Sequence, residues 1–168
     1  MSIYDIKSKE EWQLVLDDIC EQLGMTAAIS DGKKLILQFS GERNALCSTI
    51  RANEESLVFI CSQTQQFMAQ EAERTRKPVI DACEAGMSKF VIPIFFKGEY
   101  QGALTGCGTC VHREEIETFV IEKSSKMKKE EINRQAQDVN EVEQIKVDDM
   151  AKRLFKEIKS DEQRAELR

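Results

Sequence analysis

Six cysteines stand in a chain of 168 residues, and five of them have the look of chemistry. Cys107 and Cys110 form a C-x2-C pair within GCGTC, where flanking glycines allow the sharp turn that would aim both sulfurs at one centre. Cys47, Cys61 and Cys83 precede them at long separations that match no zinc-ribbon or ferredoxin pattern. Cys20 falls on an apolar helical face and reads as a small buried hydrophobe. A structural zinc or an iron–sulfur cluster takes four such ligands. Cys47, Cys61, Cys83, Cys107 and Cys110 are therefore the candidate metal ligands, and at least three of them are expected to converge. Without a metal, the same groups wall a pocket as polarizable, weakly hydrogen-bonding surfaces. Cys47, Cys61, Cys83, Cys107 and Phe59 are then the candidate ligand-binding residues. The readings rank as thiol pocket, iron–sulfur cluster, then zinc. A third kind of chemistry is thiol–disulfide exchange at Cys107 and Cys110.

Other chemistry finds little support. His112 is the single histidine and follows the pair as C-x2-C-x-H. Covalent haem attachment needs the histidine directly after the second cysteine, and Val111 intervenes. His112 reads as a solvent residue. A nucleophilic cysteine needs a base within reach, and G-x-S-x-G, P-loop and H-E-x-x-H motifs are all absent. The expectation is a protein that is not an enzyme. The net charge of -6 opposes a nucleic-acid partner, which requires a basic face. No apolar run approaches the ~18 residues of a membrane span, and the opening MSIYDIKSKEEW does not read as a signal peptide. A cytoplasmic protein is expected.

The elements that must position the thiols follow from patterning. Ser8 to Gly24 is a predicted helix, with Ser8 and Glu11 as a capping box and Gly24 as the stop. Trp12, Val15, Leu16, Ile19 and Leu23 line its apolar face. Met25–Ile29 and Lys34–Phe39 pair as strands around Ser30-Asp31-Gly32-Lys33. Asn44–Arg51 is a short helix carrying Cys47. Leu57–Cys61 is either a strand or the start of a helix over Gln63–Arg76, which Pro78 stops. Cys83 to Cys110 forms a hairpin: Phe90–Phe96, the turn Lys97-Gly98-Glu99, Tyr100–Thr105, then a Gly/Cys-rich tip. Pro93 implies an edge position or a bulge.

Glu114–Ile121 is a short amphipathic helix. From Lys123 the chain is strongly charged, and Val147, Met150, Leu154 and Ile158 make a narrow stripe suited to a homodimer contact or to folding back on the domain. Glu157–Arg168 is expected to fray or to continue as a linker. The division is thus a sensor-sized domain over 1–122 and a charged helical tail over 123–168. The fold class is α+β, an antiparallel sheet flanked by helices.

Taken in order, Cys47 with Ile50 and Arg51, Cys61, Pro78, the Cys83-Glu-Ala-Gly86-Met turn, Pro93-Ile94, Gly98, Tyr100, Gly102 and Gly106-Cys107-Gly108 resemble the PocR sensory domain. The resemblance implies a PAS/GAF-like fold and a small-molecule sensor of prokaryotic signalling proteins. It implies a downstream signalling module as partner. It also assigns Cys47, Cys61 and Cys83 to the family cysteines and Cys107 to those of a subset, while Cys110 exceeds the common pattern.

Overall fold

The computed structural model describes residues 2–168. Helix α1 spans Lys9–Leu23. The Glu11 amide donates to Ser8 Oγ at 3.1 Å, and the Ser8 amide donates to the Glu11 carboxylate at 2.7 Å. These reciprocal bonds satisfy two otherwise orphaned donors. Gly24 ends the helix at φ 70, a conformation glycine adopts without strain. Strands β1 (Thr26–Asp31) and β2 (Ile36–Ser40) follow as a hairpin. The Asp31 carboxylate accepts the Lys33 and Leu35 amides at 2.8 and 3.0 Å, which holds the turn.

Helix α2 (Ala45–Ala52) and the single turn α3 (Glu54–Ser56) lead into a π-helix over Leu57–Ser62. That segment runs on into α4 (Gln63–Thr75). LVFIC is thus the start of a helix. Strands β3 (Val79–Ala82), β4 (Ser88–Phe96) and β5 (Glu99–Thr109) complete one antiparallel sheet in the order β2-β1-β5-β4-β3. Strand β5 outruns its predicted end at Thr105. Gly106 and Cys107 pair with both neighbouring strands and Gly108 is the unpaired residue at a bulge against β4, so the stretch is no hairpin tip. A Cβ on Gly106 would lie 2.6 Å from the Phe90 ring, so glycine is what lets that ring cross beneath the strand.

Both faces of the sheet are covered. Phe90, Ile92, Ile94 and Phe96 join Ala27, Ile29 and Leu104 in packing against α1. Val91 and Ala103, on the other face, meet Met68 and Ala72 of α4. Every residue of β4 is consequently buried, which explains why it reads as a continuous apolar run instead of an alternating one.

The predicted helix over 114–121 is broken. A 3-10 turn covers Arg113–Glu115, Ile116 is extended at ψ 127, and α5 begins at Thr118 and ends at Ser125. Residues 123–168 then contribute α6 (Lys129–Ala136) and α7 (Gln144–Glu166). Ile132 and Ala136 of α6 pack into a cluster with Leu46, Ile50 and Ile121. Val147, Met150, Leu154 and Ile158 of α7 enter the same core as Trp12 and Phe90. That stripe is covered by its own chain, so a dimer would have to use another surface.

The segment expected to fray stays helical to Glu166, with Asp161, Glu162 and Ala165 buried. Strand β3 pairs with β4 only as far as Val91, so β4 beyond it has an open edge. Pro93 lies there and has no amide donor to satisfy. Phe95 and Lys97 do have one, and α7 receives both. The Phe95 amide donates to Glu162 at 2.8 Å and the Lys97 amide to Glu166 at 2.7 Å.

Burial pushes the Glu162 carboxyl above the usual range, against the pull of the Phe95 amide and of Lys159 at 3.7 Å. A raised folded-state pKa means that the charged form is the disfavoured one. Stability from this site is therefore fully present below the unfolded carboxyl pKa and falls as pH rises through the raised folded value. Glu162→Gln keeps the acceptor and removes the charge. It is expected to melt at or above the parent at pH 7 and to flatten the decline between acid and neutral pH. Glu162→Ala orphans the Phe95 amide and should cost about 1–3 kcal/mol. Thermal melts at pH 4 and pH 7 decide, and a glutamine variant as weak as the alanine one would show that the charge itself holds the helix.

Candidate functional site

A cavity of about 590 Å³ lies between one face of the sheet and the α2–α4 segment. Its floor carries Thr26 and Ala28 of β1, Thr105 and Cys107 of β5, and Lys89 of β4. Cys47, Ile50 and Arg51 reach it from α2, and Ile60 and Cys61 from the π-helix. Cys83 and Met87 reach it from the β3–β4 turn. A π-turn carries more residues per turn than an α-turn and is often found at functional sites. Here Ile60, Cys61 and Ser62 all reach the cavity wall.

Short hydrogen bonds set the segments that carry Cys47 and Cys83. Asn44 caps α2 by accepting the Cys47 amide at 2.8 Å, and its own Nδ2 donates to the Gly108 carbonyl at 2.8 Å. One side chain thus ties the helix that carries Cys47 to the strand that carries Cys107. The Cys83 amide donates to the Met87 carbonyl at 2.8 Å, and the Gly86 amide returns to the Cys83 carbonyl at 2.8 Å. Gly86 has φ 86, and a Cβ there would stand 2.3 Å from the Glu115 carbonyl oxygen. The C-x-A-G sequence is therefore a close-packed turn that presents Cys83 inward. Cys47 Sγ lies 3.5 Å from Met87 Sδ, and Cys107 Sγ lies 3.8 Å from Thr26 Oγ1.

Burial pushes the Cys47, Cys61 and Cys83 thiols up, and neighbouring thiols add to the effect. Arg51 acts in the opposite direction at Cys61. Without a metal these three groups are neutral thiols at pH 7.

Cys47, Cys61, Cys83 and Cys107 thus surround one cavity. Cys110 does not join them. It is fully buried beside Ile116 and Val139, and its Sγ donates to the Asn140 carbonyl at 3.7 Å. Cys107 is held within the sheet by β1 and β4, and past the bulge at Gly108 the chain carries Cys110 to a bridge with Glu141, so the C-x2-C does not close on one centre. Phe59 also lies elsewhere, 42% exposed on the outer side of the π-helix. Cys20 packs against the α1 core as expected.

Sequence reading missed Lys89 and Gln65, and named Arg51 only within the family pattern. Lys89 opens the apolar run of β4 and is only 5% exposed. Its position in that run was the available signal. Gln65 donates to Thr105 Oγ1 at 3.1 Å and joins α4 to the cavity floor.

Among the described residues no three of the cavity sulfurs lie within 4.8 Å of one another. A tetrahedral zinc with ~2.3 Å bonds sets its sulfurs roughly 3.8 Å apart, so the thiols would have to close in to hold it. A cluster spans a wider set of sulfurs than a single ion does. The one compact group of potential ligands is His112, Glu114 and Glu141, all exposed, where Arg113 already pairs with Glu141 at 2.7 Å.

An antiparallel sheet in this order, with helices over both faces and a cavity under one of them, defines an α+β domain of PAS-like type. The chain belongs to the PocR family: the profile described as "Sensory domain found in PocR" matches residues 5–160. The matched span runs past residue 122, through α5 and α6 and into α7. No significant match is found among curated proteins or among solved structures. No described helix is long and apolar enough to cross a membrane.

Proposed function

We propose that this domain senses a small organic molecule held in the thiol-walled cavity, as the input module of a prokaryotic signalling system. The observation that supports the reading is convergence: four cysteines from four separate segments line one space. Apolar walls with a few polar groups suit a small ligand, and the volume falls within the usual range of such sites. The role is binding without turnover. The single histidine, His112, is exposed and does not line the cavity. Helix α7, which grips β4 through Glu162 and Glu166, is the element placed to carry a change in β4 onward.

The test combines thermal shift with alkylation. A panel of short alcohols, aldehydes and organic acids is screened against metal-free protein. A true ligand is expected to raise the melting temperature. It should also slow iodoacetamide labelling of Cys47, Cys61, Cys83 and Cys107 while leaving Cys20 unaffected. Steady turnover of a disulfide substrate would sink the reading.

The same convergence of four thiols also favours an iron–sulfur cluster as a second reading. Cys47, Cys61, Cys83 and Cys107 would hold it, and it would supply sensitivity to potential or oxygen. Anaerobic purification with iron analysis tests this. Cys107→Ser should lose the iron and any visible absorption, whereas Cys110→Ser should keep both, because Cys110 does not line the cavity.

A further inference from the structure

We propose that the cavity recognises its ligand by a carboxylate group, bound by the ammonium of Lys89 with the guanidinium of Arg51 beside it. The inference rests on the small-molecule reading above and names the ligand class. Lys89 is 5% exposed and lines the cavity. It takes part in no ion pair and no side-chain hydrogen bond among the described residues. Elsewhere this fold pairs its buried charges. Asp161 takes Lys7 at 2.7 Å, and Glu162 takes the Phe95 amide. The Lys89 ammonium is not sealed from solvent but opens into the cavity, so a ligand that fills the cavity desolvates it and is favoured when it supplies the missing charge.

The acidic groups nearest in sequence or space are already occupied or outside. Asp81 on β3 is the direct partner of Lys89 and shares its face of the sheet, but it is exposed, its carboxylate accepts the Ala82 amide at 2.8 Å, and no ion pair joins the two. Asp31 is taken up by its own turn, and Asp138 accepts the Ala45 amide at 2.7 Å. Glu42 and Glu73 are exposed at the rim. The groups tied to Lys89 on the cavity side are thiols: Cys107 is its partner on β5, and Cys61 feels its charge.

The positive charge is also reinforced. Arg51 and Arg43 line the same cavity and enter no ion pair among the described residues. The Arg43 guanidinium rests 4.5 Å from the Phe39 ring centroid, held by stacking instead of by a carboxylate. A guanidinium from α2 and an ammonium from β4 in one cavity are suited to charge-assisted hydrogen bonds with an oxyanion. Ile50, Ile60, Ala69 and Met87 supply apolar and soft surface for the rest of the molecule. The ligand class is an organic acid with an apolar body.

Calorimetric titration of the metal-free full chain tests this with butyrate, octanoate and benzoate against 1-butanol, 1-octanol and benzyl alcohol. Inorganic phosphate serves as a separate oxyanion arm. At least one acid is expected to bind about tenfold or more tightly than its alcohol, and Lys89→Gln is expected to remove that preference while leaving the alcohol within about twofold. Lys89→Met removes the charge and the hydrogen-bonding capacity together, and serves as the second variant if the glutamine one folds poorly. Equal binding of acid and alcohol overturns the proposal while leaving small-molecule sensing in place. Acid binding that survives both Lys89 variants overturns it as well. Lys89-dependent binding of phosphate alone replaces the carboxylate with a phosphoryl group. Protein that binds no probe and carries iron overturns the small-molecule reading itself.

Discussion

Trp12→Ala is expected to lower the unfolding free energy by about 3–5 kcal/mol, the range for removing a buried tryptophan. Trp12 is fully buried in the cluster formed by α1, the sheet and α7. Three of its surroundings are fixed independently. A capping box and Gly24 set α1, the sheet holds Phe90 and Ile92, and α7 is tied to β4 through Glu162. A site walled by elements that cannot move inward leaves a cavity instead of collapsing, which places the loss in the upper part of the range. Trp12 Nε1 also donates to the Ile3 carbonyl at 3.0 Å and so anchors the 3-10 turn formed by Ile3–Asp5. Trp12→Phe keeps most of the volume and loses that bond, so a smaller loss of about 1–2 kcal/mol is expected. Urea denaturation should be followed by circular dichroism, because Trp12 is the only tryptophan and its fluorescence vanishes with it. Domains of this kind have about 5–15 kcal/mol of stability, so the alanine variant should be marginal at physiological temperature. A loss under about 1 kcal/mol would show that α1 and α7 close over the gap.

The elements easiest to read in the sequence were those whose signals are local. Ser8, Glu11 and Gly24 mark α1 at both ends, and the Asp31-Gly32 turn marks the first hairpin. Pro93 was legible as an edge residue because a missing amide has one consequence wherever it occurs. The site was harder. Each of Cys47, Cys61, Cys83 and Cys107 could be named, but their meeting depends on α2, the π-helix and two strands folding around one space. The C-x2-C spacing misled because it carries meaning only when the backbone turns both sulfurs to one centre, and here Cys107 is paired within the sheet while Cys110 bridges to Glu141. The tail misled for a related reason. Val147, Met150, Leu154 and Ile158 make a stripe that suits a second copy or the domain's own sheet equally well. Only the open edge of β4, with the Phe95 and Lys97 amides lacking strand partners, decides between them. Lys89 was hidden by its company: one lysine beside FVIPIFF looks like a strand end, and strand pairing is what turns it inward.

Gly102→Ala is expected to cost about 2–6 kcal/mol, adding backbone strain of ~1–3 kcal/mol to overpacking of similar size. Gly102 has φ 147, where side-chain-bearing residues are strained. A Cβ there would stand 2.0 Å from the Ser30 carbonyl oxygen and 3.0 Å from the Asp31 Cα. Those atoms are backbone of the neighbouring strand, so no side-chain rotation can relieve the overlap. Strands β1 and β5 would have to part where Asp31 pairs with Gly102. Both strands form the cavity floor, through Thr26 and Ala28 on one and Thr105 and Cys107 on the other. The substitution should therefore act on the site as well as on stability. Iodoacetamide labelling of Cys107 should speed up in the folded protein, and hydrogen exchange should rise at the amides of β1 and β5 before those of α1. Gly98→Ala is the matched control. Gly98 also has positive φ, at 81, but nothing lies within 4 Å of its added Cβ, so it carries the strain alone and should lose only about 1 kcal/mol. If Gly102→Ala loses no more than Gly98→Ala, close approach of the two strands is not what demands glycine at position 102.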